Sequence, residues 1–126
     1  ARETVSHFGE SLRRQPTALP LMVSALDCLE SAPSQIVLAG EEDSPGIEPM
    51  LRVVYRRYLP TAVILHSGSK GAKETFARLN PFINEMSSNG GRTTAYVCRN
   101  FVCELPVTDP VALDQLLDRE KRSQKR

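Results

Sequence analysis

The sequence predicts an α/β domain: a small four-stranded sheet in the order β-α-β-α-β-β-α, preceded by a helical hairpin. Three observations predict it. Two short apolar, β-branched runs, 35-QIVLA-39 and 62-AVILH-66, are each followed by a segment with helical periodicity. Two further runs, 93-TTAYVC-98 and 101-FVCEL-105, lie two residues apart, which is hairpin spacing. Ahead of all four, residues 3–14 and 18–31 carry apolar side chains at helical spacing.

Taken in order, Val5, Phe8 and Leu12 make residues 3–14 an amphipathic helix ended by Pro16. In the helix over 18–31, Leu21, Met22, Ala25, Leu26 and Leu29 share a face, and Pro20 falls in the first turn, where proline is tolerated. After the strand at 35–39 and the turn-forming loop 41-EEDSPG-46, Ile47, Met50, Leu51, Val54, Tyr55 and Tyr58 line a core-facing helix stopped by Pro60. The strand at 62–66 and the loop 67-SGSKG-71 lead to a helical face of Ala72, Phe76, Leu79, Phe82, Ile83 and Met86. Pro81 should split that helix after Asn80. Behind the hairpin, Asp109 as N-cap and Pro110 as first residue open a last helix carrying Val111, Leu113, Leu116 and Leu117. Two topologies share this order, a small Rossmann-like sheet and a degenerate thioredoxin-like sheet. They differ in whether the third strand runs parallel or antiparallel to the first.

Size and charge narrow the function classes. A chain of 126 residues fits one principal domain and can bury a core without a metal or disulfide staple. A net charge of +1 gives no field for steering nucleic acid or a membrane surface, and no apolar run reaches the length of a membrane span. Three cysteines, an odd and sparse set, suit a reducing compartment, so a cytoplasmic location is expected. The chain opens on Ala1 in helix-like sequence, as a piece of a longer protein would. The expected division is a helical hairpin over 1–32, an α/β domain over 33–118 and a basic disordered tail over 119–126.

The candidate sites are few. With Arg99 and Asn100 as the turn, Tyr96, Cys98, Phe101 and Cys103 share one sheet face. Cys98 and Cys103 are then diagonal neighbours with Cα atoms about 7–8 Å apart, beyond easy disulfide reach. Packed core thiols are the leading reading; a redox pair and a metal site completed elsewhere are the alternatives. Cys28 is expected to pack beside its helix face. His66, Ser67, Ser69 and Lys70 form a strand-end loop ahead of a helix, a place where phosphate or a small ligand can bind. That loop lacks the phosphate-loop pattern, and Glu41, Glu42 and Asp43 beside it would repel an anion. No nucleophile elbow, CxxC or four-ligand zinc spacing is present, so no catalytic residue, metal or cofactor is assigned.

The string 93-TTAYVCRNFVCELPVTDP-110 carries a resemblance. Thr94, Ala95, Tyr96, Val97, Cys98, Asn100, Cys103, Pro106, Val107, Thr108, Asp109 and Pro110 resemble a C-terminal signature of the large spermatogenesis-associated proteins with a thioredoxin-like N-terminus. The stretches 35-QIVLAG-40 and 57-RYLPTAVIL-65 fit the same pattern, which extends over residues 16–118. The resemblance implies a parent with a thioredoxin-like domain and an α/α toroid similar to N-acylglucosamine 2-epimerases and six-hairpin glycosidases. Residues 1–32 would be the toroid's end. It carries no catalytic residue onto this chain. The expected role is therefore a non-catalytic C-terminal domain packing against the rest of the parent chain, with a homo-oligomer as an alternative partner. A thiol or metal site at Cys98 and Cys103, or a ligand module at the strand-end loops, are the alternative functions.

Overall fold

The computed structural model describes residues 2–31, 33–100 and 102–123, the side chains of Lys70 and residues 120–123 excepted. Its centre is strand β1 (Gln35–Ala39), whose Ile36, Val37, Leu38 and Ala39 are all buried. Strand β2 (Val63–His66) pairs with it in parallel, from Gln35–Val63 to Leu38–His66. Strand β3 (Thr94–Arg99) pairs on the other side, antiparallel, from Gln35–Cys98 to Ala39–Thr94. The short β4 (Val102–Cys103) completes a mixed sheet in the order β2-β1-β3-β4. The antiparallel third strand excludes the Rossmann-like alternative.

Strand alternation divides the core into two layers. Ile36, Leu38, Ala95 and Val97 point to one face, where helices α4 (Ile47–Tyr55) and α6 (Pro110–Ser123) cover them with Ile47, Met50, Val54, Leu113, Leu116 and Leu117. Val37 and Cys98 point to the other face. There they meet Ile83 and Met86 from the 3-10 turn Pro81–Glu85 and the segment after it, with Phe76 of helix α5 (Lys70–Leu79). The expected split after Asn80 is present, and the Asn80 side chain caps the turn by accepting from the Phe82 N–H. Asp109 Oδ2 likewise accepts from the Ala112 N–H at 2.9 Å, so α6 begins as its sequence dictates.

Arg57, one turn past the last core residue of α4, clasps the two helices on the first face together. Its Nη1 donates to Asp118 Oδ1 at 2.7 Å, and its Nε and Nη2 both donate to Asp114 Oδ1 at 3.1 and 2.7 Å. Nη2 also reaches the Asp114 carbonyl at 2.7 Å. The arginine side chain is largely buried and both carboxylates are more than half exposed. The hydrogen bond to Asp118 raises the guanidinium's pKa above its ordinary value, against a smaller opposing effect of burial. A raised folded-state value means that the guanidinium's own titration removes this contribution only above the ordinary guanidinium range.

The N-terminal region departs from its expected form. Residues 3–14 are two short helices, α1 (Arg2–His7) and α2 (Gly9–Arg14), broken at Phe8. Residues 18–31 form a 3-10 turn, Pro16–Ala18, and helix α3 (Pro20–Glu30). No described residue of α3 is buried, and Leu21 of its expected core face is 86% exposed. Neither core layer contains a residue from α1, α2 or α3. Other differences have local causes. Helix α4 ends at Tyr55, so Tyr55 and Tyr58, expected on its core face, are exposed. Leu79 and Phe82 are exposed because the break at Asn80 turns them away from Ile83. Strand β2 is an edge strand, so its side chains are half-buried or exposed rather than enclosed. Helix α6 continues through Ser123, into the segment expected to be a loose tail; residues 124–126 lie outside the described residues.

Two substitutions separate the layers from the hairpin. Leu113→Ala should lower the unfolding free energy by about 2–5 kcal/mol, whereas Leu21→Ala should change it by no more than about 0.5 kcal/mol. Urea denaturation of each variant measures both. For the clasp, a double-mutant cycle on Arg57→Ala and Asp114→Ala should return a coupling of roughly 0.5–1 kcal/mol that shrinks with added salt.

Candidate functional site

Three places bear on function: the loops at the carboxyl ends of β1 and β2, the cysteine hairpin, and the surface of α1 to α3. At the strand ends the backbones approach closely because three glycines allow it. A Cβ on Gly40 would lie 2.9 Å from Thr93 Oγ1, and one on Gly46 would lie 2.7 Å from the same atom. Thr93 is buried, and its hydroxyl shares a hydrogen bond with Ser44 at 3.0 Å. A Cβ on Gly68 would collide with the Gly40 carbonyl and the His66 ring. Here the sequence singled out His66, Ser67, Ser69 and Lys70, and the structure gives three of them internal work. His66 Nε2 donates to the Gly40 carbonyl at 3.1 Å, tying the two strand-end loops together. Ser67 is buried, its N–H bonded to the Leu38 carbonyl at 3.0 Å. Ser69 caps α5 by accepting from the Ala72 N–H at 3.1 Å. The Lys70 side chain lies outside the described residues. A depression of about 240 Å³ beside the start of α4 is lined by Ser44, Pro45, Gly46, Gly91, Arg92, Thr93 and Thr108.

Tyr96 and Thr94, which the sequence marked only by face and motif, stitch the segment 87–93 to β3. The Tyr96 hydroxyl donates to the Ser87 carbonyl at 2.7 Å and accepts from the Ser87 N–H at 3.2 Å. Thr94 Oγ1 accepts from the Asn89 N–H at 2.8 Å and donates to the Arg92 carbonyl at 3.0 Å. The adjacent Gly90 and Gly91 at positive φ were the available signal for a tight turn there.

The cysteine hairpin corrects the expected register. The ladder pairs Arg99 with Val102 and Cys98 with Cys103, so the turn starts at Asn100 rather than at Arg99. Asn100 has φ +49°, a left-handed conformation that asparagine tolerates far better than arginine does. One position of slip turns diagonal cysteines into directly opposed ones. Their Cα atoms stand 3.9 Å apart and their sulfurs are joined in a disulfide. The expectation of two free packed thiols is therefore overturned. Cys98 is 3% exposed and packs with Val37, Ile83 and Met86. Cys103 is half-buried at the sheet edge, and Tyr96 shares their face as expected. Phe101, the fourth member of that face, lies outside the described residues. Cys28 is a free, exposed thiol on α3, not a packed one. Among the described residues no group of three or more histidine, cysteine or acidic side chains is placed to hold a metal ion.

The third place is an apolar groove of about 510 Å³ between α1, α2 and α3, lined by Val5, Leu12, Pro16, Val23 and Leu26 with Ser6, Gly9 and Arg13. Among its described lining residues Val5 and Leu12 alone are buried, while Val23 and Leu26 are exposed; Phe8 and Leu21 are exposed elsewhere on the same helices.

Comparison with known proteins agrees with the hairpin string. The chain is 35% identical over 111 residues to human spermatogenesis-associated protein 20, and 34% identical to the rat protein of that name. It is homologous to one stretch of spermatogenesis-associated protein 20. The match covers 87% of this chain and only 14% of the length of either relative. The uncharacterized protein B0495.5 of Caenorhabditis elegans is 26% identical over 111 residues, covering 88% of this chain and 15% of its own length. No family model and no solved structure matches. Among the described residues no helix is long and apolar enough to cross a membrane.

Replacing Gly68 by alanine should destabilise the domain by about 1–3 kcal/mol, because the new methyl group must displace the His66–Gly40 contact. The histidine ring resonances should shift with it, and the two changes are read from a denaturation curve and an NMR spectrum of the variant.

Proposed function

We propose that this chain is a non-catalytic α/β domain of a larger protein, with α1 to α3 as the surface on which it docks to the rest of that protein. One observation carries the reading. The helical hairpin gives no residue to either core layer yet leaves Val23 and Leu26 exposed on an apolar groove, with Phe8 and Leu21 exposed elsewhere on its surface. Contiguous apolar surface of this kind belongs at an interface. The relatives, about seven times the length matched here, supply more than enough chain to cover it.

On this reading the covering element is the α/α toroid that the hairpin string implies, and the hairpin is the toroid's last turn of helices. The sheet order and the antiparallel third strand support a degenerate thioredoxin-like ancestry for residues 33–118. The loop 41-EEDSPG-46, where a working thioredoxin places its CxxC, has no cysteine, which supports a packing role over a catalytic one. A cytoplasmic setting and sugar-processing chemistry in the rest of the parent complete the proposal.

Association in trans tests it. A parent protein lacking this segment should bind the separate chain in isothermal titration calorimetry, with a negative heat-capacity change from apolar burial. Val23→Asp combined with Leu26→Asp should weaken that binding by at least about 100-fold, given the cost of desolvating two carboxylates. Absence of binding by the unaltered chain, or equal binding by the double variant, would overturn the docking surface.

A further inference from the structure

We propose that the Cys98–Cys103 bond is a thiol–disulfide exchange site, reduced by a dithiol in the folded protein, and that its reduction releases the edge strand β4. This inference is independent of the docking surface; it rests on the hairpin alone.

Four observations lead to it. The bond joins directly opposed residues of neighbouring strands whose Cα atoms are 3.9 Å apart, closer than the roughly 4.4–6.8 Å at which disulfides usually sit. Crowded geometry of that kind makes a disulfide easier to reduce. The bond also closes a separation of only five residues, so it constrains the unfolded chain far less than a long-range bridge and adds little as a staple. Access is one-sided: Cys98 is buried under Ile83 and Met86, while Cys103 lies half-buried on the outermost strand between exposed Val102 and Glu104. Finally, little else among the described residues holds β4. Its pairing consists of Arg99–Val102 and Cys98–Cys103, extended by the Glu104 N–H to the Val97 carbonyl at 2.9 Å. The next link is the Ala95–Val107 bridge, on the far side of Pro106, which has no N–H to donate.

The exchange follows from that asymmetry. A thiolate of the reductant attacks Cys103 Sγ, the reachable sulfur; the Sγ–Sγ bond breaks and Cys98 leaves as a thiolate that takes up a proton. The reductant's second thiol, deprotonated, then attacks its own first sulfur in the mixed disulfide and releases Cys103, which is protonated in turn. Two electrons and two protons pass to the protein, and the reductant leaves as its disulfide. β3 stays in place, because it remains paired with β1 from Gln35–Cys98 to Ala39–Thr94. Only the hairpin tip and the segment to Val107 are freed, exposing the outer edge of β3 to a new strand or partner.

The test uses the whole chain carrying Cys28→Ser, so that only the paired cysteines react. Protein purified without reductant is treated with dithiothreitol in the absence of denaturant, quenched with iodoacetamide and weighed by mass spectrometry. Both thiols should be alkylated at a rate within about tenfold of that in the urea-unfolded chain. Amide exchange should rise at Arg99 and across residues 102–105 and stay unchanged across 35–39, and oxidised glutathione should reverse both effects. A bond that yields only on unfolding, reduction that melts β1 as well, or protein isolated with two free thiols would each overturn the proposal. Cys103→Ser should reproduce the released state; if that variant fails to fold, the reduction assay on the intact cysteines still decides.

Discussion

No face of β1 is open to water, and every other part of the α/β body is placed by that fact. Ile36 and Leu38 need cover on one side and Val37 on the other, so a single layer of helices cannot satisfy the strand. Both ladder edges of β1 must also be paired, since buried backbone N–H and C=O groups left without partners are costly. β2 meets one edge in parallel and β3 meets the other antiparallel. The parallel pairing forces the connection through α4, and α4 brings Met50 and Val54 onto the Ile36–Leu38 face. The glycines at 40, 46 and 68 then let the strand-end loops close over that face's rim, with Thr93 and His66 filling the space that side chains would have taken.

Much of this was legible in the residues. The apolar runs around Val37 and Ile64, the break at Asn80 and the Asp109–Pro110 helix start each rest on a local rule, and each appears where that rule puts it. Direction was not legible: whether β3 runs with β1 or against it depends on long-range packing, which periodicity does not encode. Edge position was equally hidden, so the run ending at His66 reads as enclosed although, among the described residues, its outer side has no strand neighbour. The helix faces of residues 1–31 look like core faces because they are apolar. They give no residue to either core layer of the α/β body, and sequence pattern marks only the demand for burial, not what meets it.

The hairpin shows how one residue can decide the chemistry of a site. A turn begun at Arg99 leaves two separate thiols; a turn begun at Asn100 opposes them and permits the bond. The difference comes from which residue can take a positive φ at small cost, a backbone property, and asparagine wins over arginine. The strand-end loop changed meaning in the opposite sense. Its histidine and serines read as ligand groups in the sequence, and the structure engages them in holding two loops and capping a helix.

The chain thus consists of a body that satisfies its own burial and a hairpin that does not. Native-state hydrogen exchange on the isolated chain tests that division most directly, because local opening energies separate independently stabilised regions. Amides of residues 35–39 and 94–98 should exchange only through global unfolding, while those of residues 20–30 should exchange orders of magnitude faster. Equal protection of both regions, lost together with denaturant, would contradict it.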